Sequence, residues 1–136
     1  MTGGCSARAA SSKAVENAVL LDALGPGEPD TAEVVELVID QLLGPESRDG
    51  GLDAVLVRYE RLVGAGRRPY LAPLMRSLRP ELDDLLAEVF RRCGRPLDPD
   101  ALRDLVFLVD GAVISALIEA DPDPRAAARE VLSRLL

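Results

Sequence analysis

The feature that most limits how this chain can fold is an apolar run, LVFLVDGAVISALI, at residues 105–118. Only Asp110, Gly111 and Ser115 interrupt it, so a helix formed here has no polar face to turn toward water. A membrane-spanning helix needs roughly 20 apolar residues, and this run is shorter and has charged flanks. The run therefore predicts a helix that is buried on all sides, either inside its own fold or partly against a second subunit.

The composition favours packed helices over β-structure. Aromatic residues make up only 3% of the chain and there is no Trp, so Leu, Val, Ile and Ala must supply the core. Glycine and proline divide the sequence into segments with helical spacing, and we find no segment that predicts a strand. We expect an all-α fold, a bundle of about six to seven helices.

The charged and chemically reactive residues exclude several classes of function. There is no histidine, which removes the commonest general base and the commonest metal ligand, so we expect no enzymatic activity, no metal and no cofactor. The net charge of −7 argues against direct binding to nucleic acid. The two cysteines, Cys5 and Cys93, lie far apart, and the N-terminus has no signal-peptide pattern. These features predict a cytoplasmic protein.

Capping residues and helix breakers give the approximate bounds of the first helices. A short helix is expected at about residues 12–24, and a second begins at Thr31 and ends before Gly44. The sequence GPESRDGG, at residues 44–51, is expected to be a loop. Residues 52–66, LDAVLVRYERLVGAG, place apolar side chains at helical spacing and predict an amphipathic helix.

The second half of the chain contains a proline that allows two interpretations. Residues 70–94 are compatible with one long helix kinked near Pro80, or with two helices of which the second begins at Pro80; we favour the single kinked helix. Asp98 is placed to cap the following helix, which is expected from about Pro99 to Ala120. A last helix begins at Asp123–Pro124.

Three sequence pieces occur in an order that is typical of one protein family. They are RYER followed by AGRRP at residues 58–69, LVDG at 108–111 and DPDPRAA at 121–127. Together they resemble the C-terminal effector-binding and dimerisation domain of TetR-family transcriptional regulators, of the kind common in actinobacteria. The resemblance covers residues 31–136 and implies a regulatory domain, with residues 1–30 as a separate, partly disordered segment.

The last two helices are expected to form the dimer interface. The apolar run and the last helix, which has apolar residues on one face, would pair with their copies across a two-fold axis. The resemblance implies the same four-helix bundle in a homodimer. The candidate interface residues are Leu105, Val109, Ala112, Val113, Ala116, Leu117, Val131, Leu132 and Leu135.

The resemblance also implies that the preceding helices enclose a mostly apolar pocket for a small effector. The pocket candidates are the largest apolar and aromatic side chains on those helices, together with the acid in the apolar run: Tyr59, Tyr70, Met75, Phe90, Phe107 and Asp110. Each large side chain has the alternative of simply filling the core. Asp110 has three interpretations: a structural bond within the fold or the dimer, a polar contact for a ligand, or exposure to solvent.

TetR-family regulators begin with a DNA-binding helix-turn-helix head, and residues 1–30 contain no basic recognition helix. We therefore expect no direct DNA binding. The chain is then either a truncated regulator or a stand-alone domain, and a head encoded upstream of Met1 would restore DNA binding. The leading hypothesis is a ligand-sensing, dimeric regulatory domain. The alternative is an adaptor that pairs with a full-length regulator through the same two helices and binds no ligand.

Overall fold

The protein is described by a computed structural model over residues 30–136, and every regular element in this range is helical. The five α-helices of the described range are α1 (Thr31–Leu43), α2 (Ser47–Gly64), α3 (Ala72–Arg92), α4 (Pro99–Ile118) and α5 (Pro124–Leu135). Two short 3₁₀ turns, Ala65–Arg67 and Pro69–Leu71, connect α2 to α3. The expected all-α class is confirmed. The expected helix at about residues 12–24 and the expected disorder of residues 1–30 lie outside the described range.

Local capping chemistry determines where the last two helices begin. Asp98 accepts a hydrogen bond from the backbone N–H of Ala101 at 2.7 Å, and Asp123 accepts one from Ala126 at 3.3 Å. In each case a proline follows the capping residue, where its missing N–H and fixed φ suit the first turn of a helix. The predicted starts of α4 and α5 are confirmed.

Helix α3 continues through Pro80, so the prediction of a single element is confirmed. Pro80 has no N–H, and the carbonyl of Arg76 therefore lacks its usual partner four residues along the helix. The helix ends where Gly94 adopts φ 76°, a left-handed conformation that glycine adopts without steric cost.

The prediction of a loop over residues 44–51 was wrong from Ser47 onward. Ser47 is buried, and its hydroxyl donates a hydrogen bond to the carbonyl of Gly44 at 2.6 Å, which fixes the start of a helical turn. Gly51 then interrupts α2 with φ 54° and ψ −137°. The hydrogen bond and the interruption explain why a glycine-rich stretch contains both a helical turn and a change of direction.

The core is assembled from one face of each helix. Helix α4 contributes the longest inward face, and α5 packs along α4 while also contacting α1 and α2. Phe90 on α3 is fully buried at the centre of this core. The inward residues of α4 are Leu102, Leu105, Val106, Val109, Val113 and Ala116.

A buried arginine ties the last helix to the first. Arg125 donates hydrogen bonds to Asp40 at 2.8 Å, to the hydroxyl of Ser47 at 2.7 Å and to Glu36 at 2.6 Å. Arg129 donates to the other oxygen of Glu36 at 2.7 Å. Arg125 itself is only 6% exposed. This arginine cluster therefore joins α5 to α1 and to the start of α2 in one network.

We expect Arg125→Ala to lower the free energy of unfolding by about 1 to 3 kcal/mol, because the buried Ser47 hydroxyl and the Asp40 carboxylate each lose a hydrogen-bond donor. The loss is limited because Asp40 keeps its pair with Arg48 and Glu36 keeps its pair with Arg129. Urea unfolding followed by circular dichroism measures the change. Arg134→Ala on the same helix is the matched control, since the 4.0 Å pair of Arg134 with Glu130 is well exposed, and we expect a loss below about 0.5 kcal/mol. Equal losses in the two variants would contradict a stabilising role for the cluster.

Candidate functional site

A hydrogen bond between Tyr59 and Asp110 connects α2 to α4. The phenolic hydroxyl of Tyr59 donates to Oδ1 of Asp110 at 2.9 Å. Tyr59 is buried and Asp110 is half-buried. Burial, and then the negative charge of the adjacent carboxylate, raise the pKa of Tyr59 above the ordinary value for a phenol. The phenol therefore stays protonated at neutral pH and holds the carboxylate in place.

The same helix α2 also holds the end of α1. The guanidinium of Arg58 donates hydrogen bonds to the carbonyl oxygens of Leu42 and Gln41, each at 3.2 Å. These carbonyls belong to the last turn of α1, whose unpaired acceptors carry partial negative charge. The contact positions Gln41 and Leu42 opposite Tyr59.

A cleft of about 470 Å³ lies above the Tyr59–Asp110 pair and is bordered by α1, α2, α3 and α4. We call it the Tyr59 cleft. Most of its surface is apolar, with a few polar groups at defined places, which is the usual make-up of a small-molecule site. Its lining residues are Gln41, Leu42, Arg58, Tyr59, Leu62, Val63, Met75, Leu78, Arg79, Leu82, Asp110 and Ile114.

The structure brings three of the six pocket candidates together in this cleft: Tyr59, Met75 and Asp110. The other three lie elsewhere. Phe90 is 0% exposed and fills the core, whereas Tyr70 and Phe107 are 75% and 55% exposed on the outer surface. Of the interpretations left open for Asp110, the structure shows a bond within the fold, and the same residue also faces the cleft.

Sequence reasoning missed several residues that line the cleft. Leu62 lies three residues after Tyr59, Leu78 lies three residues after Met75, and Ile114 lies four residues after Asp110. Residues three or four apart share a helix face, so this spacing was available as a signal once one residue of each helix was known. The contribution of Gln41 had no comparable signal, because it depends on the tertiary contact with Arg58.

Helix α4 is not enclosed by the part of the chain that the structure describes. Its outward side carries large apolar side chains, among them Phe107, Leu108 and Ile118, which are 55%, 52% and 79% exposed. Small residues lie between them at helical spacing. We call this surface the outer stripe; it consists of Phe107, Leu108, Gly111, Ile114, Ser115 and Ile118.

The nine interface candidates divide by their position around the helices. Five are buried within the core of their own chain and have little surface left for a partner: Leu105, Val109, Val113, Ala116 and Leu132. Ala112, Leu117 and Val131 are half-buried, and Leu135 is 47% exposed. The apolar run was uniform on all sides, so it did not reveal which side of α4 faces the core.

Residues 30–136 contain no candidate metal site. Within this range no three His, Cys, Asp or Glu side chains are grouped as they would need to be to hold a metal ion. Along the same residues, no helix has both the length and the hydrophobicity that a membrane-spanning segment requires. The arrangement at the Tyr59 cleft is suited to binding, with one fixed carboxylate among apolar walls.

Comparison with known families gives one match. A sequence model of the family described as "Tetracyclin repressor-like, C-terminal domain" matches residues 29–136. Comparisons with curated proteins and with solved structures find no match. The matched range contains all five helices and the whole of the Tyr59 cleft.

The raised pKa of Tyr59 predicts a loss of stability in alkali. Above pH 10, the ordinary phenol value, the unfolded chain loses the phenolic proton while the folded chain keeps it. The stability that the protonated Tyr59 phenol contributes is therefore complete below pH 10, and it is lost as pH rises through the folded-state pKa. Above pH 10 we expect the free energy of unfolding to fall less steeply in Tyr59→Phe than in wild type. Urea unfolding across alkaline pH measures this dependence. In a Tyr70→Phe background, which leaves Tyr59 as the one tyrosine, Asp110→Asn should lower the pH at which tyrosinate absorbance appears. Unchanged absorbance titration in Asp110→Asn, or equal pH dependence of stability in Tyr59→Phe and wild type, would contradict the assignment.

Proposed function

Because this chain belongs to the family of tetracyclin repressor-like C-terminal domains, we propose that it is a ligand-sensing, dimeric regulatory domain acting in the cytoplasm. The observation that carries the proposal is the Tyr59 cleft, a largely apolar space whose lining includes Asp110, held by its hydrogen bond with Tyr59. The ligand we propose is a small, mainly apolar molecule. Its body would contact Leu62, Met75 and Leu78.

The polar groups of the cleft support a ligand that has at least one hydrogen-bond donor. Asp110 accepts a bond from Tyr59 on Oδ1, and within residues 30–136 its Oδ2 has no partner. Arg58 is already bonded to backbone carbonyls, and Arg79 lies 4.0 Å from Asp83. A donor on the ligand would therefore find its acceptor at Asp110, in a place where apolar walls reduce competition from water.

The outer stripe supports the dimeric part of the proposal. Four large apolar side chains on one side of α4 alternate with Gly111 and Ser115, which allow two helices to approach closely. Leu135 on the neighbouring α5 is also exposed. Pairing α4 and α5 with their copies would remove this surface from water and produce a four-helix bundle.

We expect the protein to have twice the 14.5 kDa mass of one chain in light scattering at low micromolar concentration. Leu108→Glu should give the monomer mass, because it places a charge within the outer stripe. Leu74→Glu is the matched control, since Leu74 is an exposed leucine on α3 outside the stripe, and it should remain dimeric. A wild-type monomer would refute the dimer.

A substitution that fills the cleft tests whether the cleft binds a ligand. We expect the uncharged dye Nile red to bind wild-type protein saturably, with increased fluorescence, and Leu62→Trp to weaken binding at least about tenfold because the indole occupies the space of the ligand. Leu74→Trp makes the same substitution at an exposed site that does not line the cleft and should bind as wild type does.

The dye experiment also separates the proposal from its alternative, an adaptor that pairs with a full-length regulator and binds no ligand. The adaptor needs the outer stripe but not the cleft. If Leu62→Trp and Leu74→Trp bound Nile red equally, or if no saturable binding occurred, the sensing function would be refuted while the dimer remained possible.

A further inference from the structure

A second concave surface lies beside the Tyr59 cleft and has a different chemistry. It is a groove of about 870 Å³, lined by the second half of α2, the turn that follows α2 and the end of α4. We call it the arginine groove. Tyr59, Val63 and Ile114 line both spaces, so they form the wall between the groove and the cleft.

The apolar part of the groove is unusually exposed for large aliphatic side chains. Val57, Val63 and Ile118 are 45%, 70% and 79% exposed, and all three line the groove. Single exposed aliphatic residues are common on protein surfaces, but a group of them on one concave surface marks a binding site more often. The groove therefore offers an apolar body a place to bind.

The charged part of the groove is basic, in a chain whose net charge is −7. Arg61, Arg67 and Arg68 line it, against a single acid, Glu60. Within residues 30–136 none of these three arginines forms an ion pair, whereas the arginines of α5 are paired with acids. The groove thus gathers cationic groups whose capacity to bind an anion is unused.

We propose that the arginine groove binds a small amphipathic anion, with its apolar body on Val57 and Val63, which lie outside the outer stripe, and its carboxylate or phosphate group held by Arg67 and Arg68. A planar guanidinium binds either anion through two parallel hydrogen bonds. The description of the matched family assigns no role to this second site, and the proposed ligand of the Tyr59 cleft does not occupy it.

The charge of the two spaces separates their ligands. The Tyr59 cleft has the Asp110 carboxylate in its lining, and its two arginines are engaged with Asp83 and with backbone carbonyls. An anion entering the cleft would meet a like charge at low dielectric, which is unfavourable. The groove has three arginines that form no ion pair within residues 30–136, against one acid, Glu60, so it favours an anionic amphiphile, whereas the carboxylate of the cleft favours a neutral or donor-bearing molecule.

Isothermal titration calorimetry with dodecanoate, below its micelle concentration, tests the groove. We expect saturable binding of dodecanoate and of dodecyl phosphate, and much weaker binding of dodecyltrimethylammonium, which has the same chain and the opposite charge. Affinity should fall with added salt. The double variant Arg67→Gln, Arg68→Gln should weaken dodecanoate binding roughly three- to tenfold, the range expected for two exposed ion pairs.

Two further variants locate the binding site. Arg76→Gln, Arg95→Gln removes the same charge from arginines that do not line the groove, so it should bind dodecanoate as wild type does. Leu62→Trp adds bulk at a residue that lines the cleft but not the arginine groove, so it should also leave dodecanoate binding unchanged. The proposal is overturned if both arginine pairs weaken binding equally, if the cation binds as well as the anion, or if Leu62→Trp abolishes binding; the last result would leave the proposed cleft ligand intact.

Discussion

The arrangement of the described helices depends on the buried guanidinium of Arg125. A cation taken out of water costs several kcal/mol unless acids and hydrogen bonds replace its hydration, and here Asp40, Glu36 and Ser47 do so. The acids come from α1 and the hydroxyl from the start of α2, so one side chain on α5 joins the end of the chain to two consecutive segments 78 to 89 residues earlier. Because α1 also supplies a wall of the Tyr59 cleft, the cluster determines the shape of a site that it does not touch.

The apolar helix α4 has three different environments around its axis, and this explains why it lacks a polar face. Its inner side, with Val109 and Val113, is packed in the core, and a second side, with Asp110 and Ile114, borders the cleft. The third side is the outer stripe, where Leu108 is exposed. Burying apolar surface stabilises a protein by about 25 cal/mol per Å². In a monomer the exposed surface of Leu108 contributes none of this stabilisation. The composition of this third side is therefore consistent with an interface.

How much of this could be predicted from the sequence depends on whether the deciding interaction is local. The end of α3 and the starts of α4 and α5 were predictable, because Gly94, Asp98 and Asp123 act on backbone groups within a few residues. The fully buried position of Phe90 and the partners of Arg125 were not, since both depend on segments that meet only in the folded chain. For the same reason half of the pocket candidates lie in the cleft and half do not. Spacing defines a helix face, but not which neighbour that face meets.

Ile114 links the proposed ligand site to the proposed interface, because it lines the cleft and belongs to the outer stripe. A ligand shifts an equilibrium only by binding two states with different affinity, so regulation requires α4 to occupy two positions. The inner side of α4 is close-packed and α5 runs along it, so α4 resists local deformation. Movement of α4 would therefore carry α5 with it and change the geometry of Arg125 with Asp40. On the proposed function, ligand binding acts on the two interface helices as one unit, and the arginine cluster connects that movement to α1 and to the start of α2.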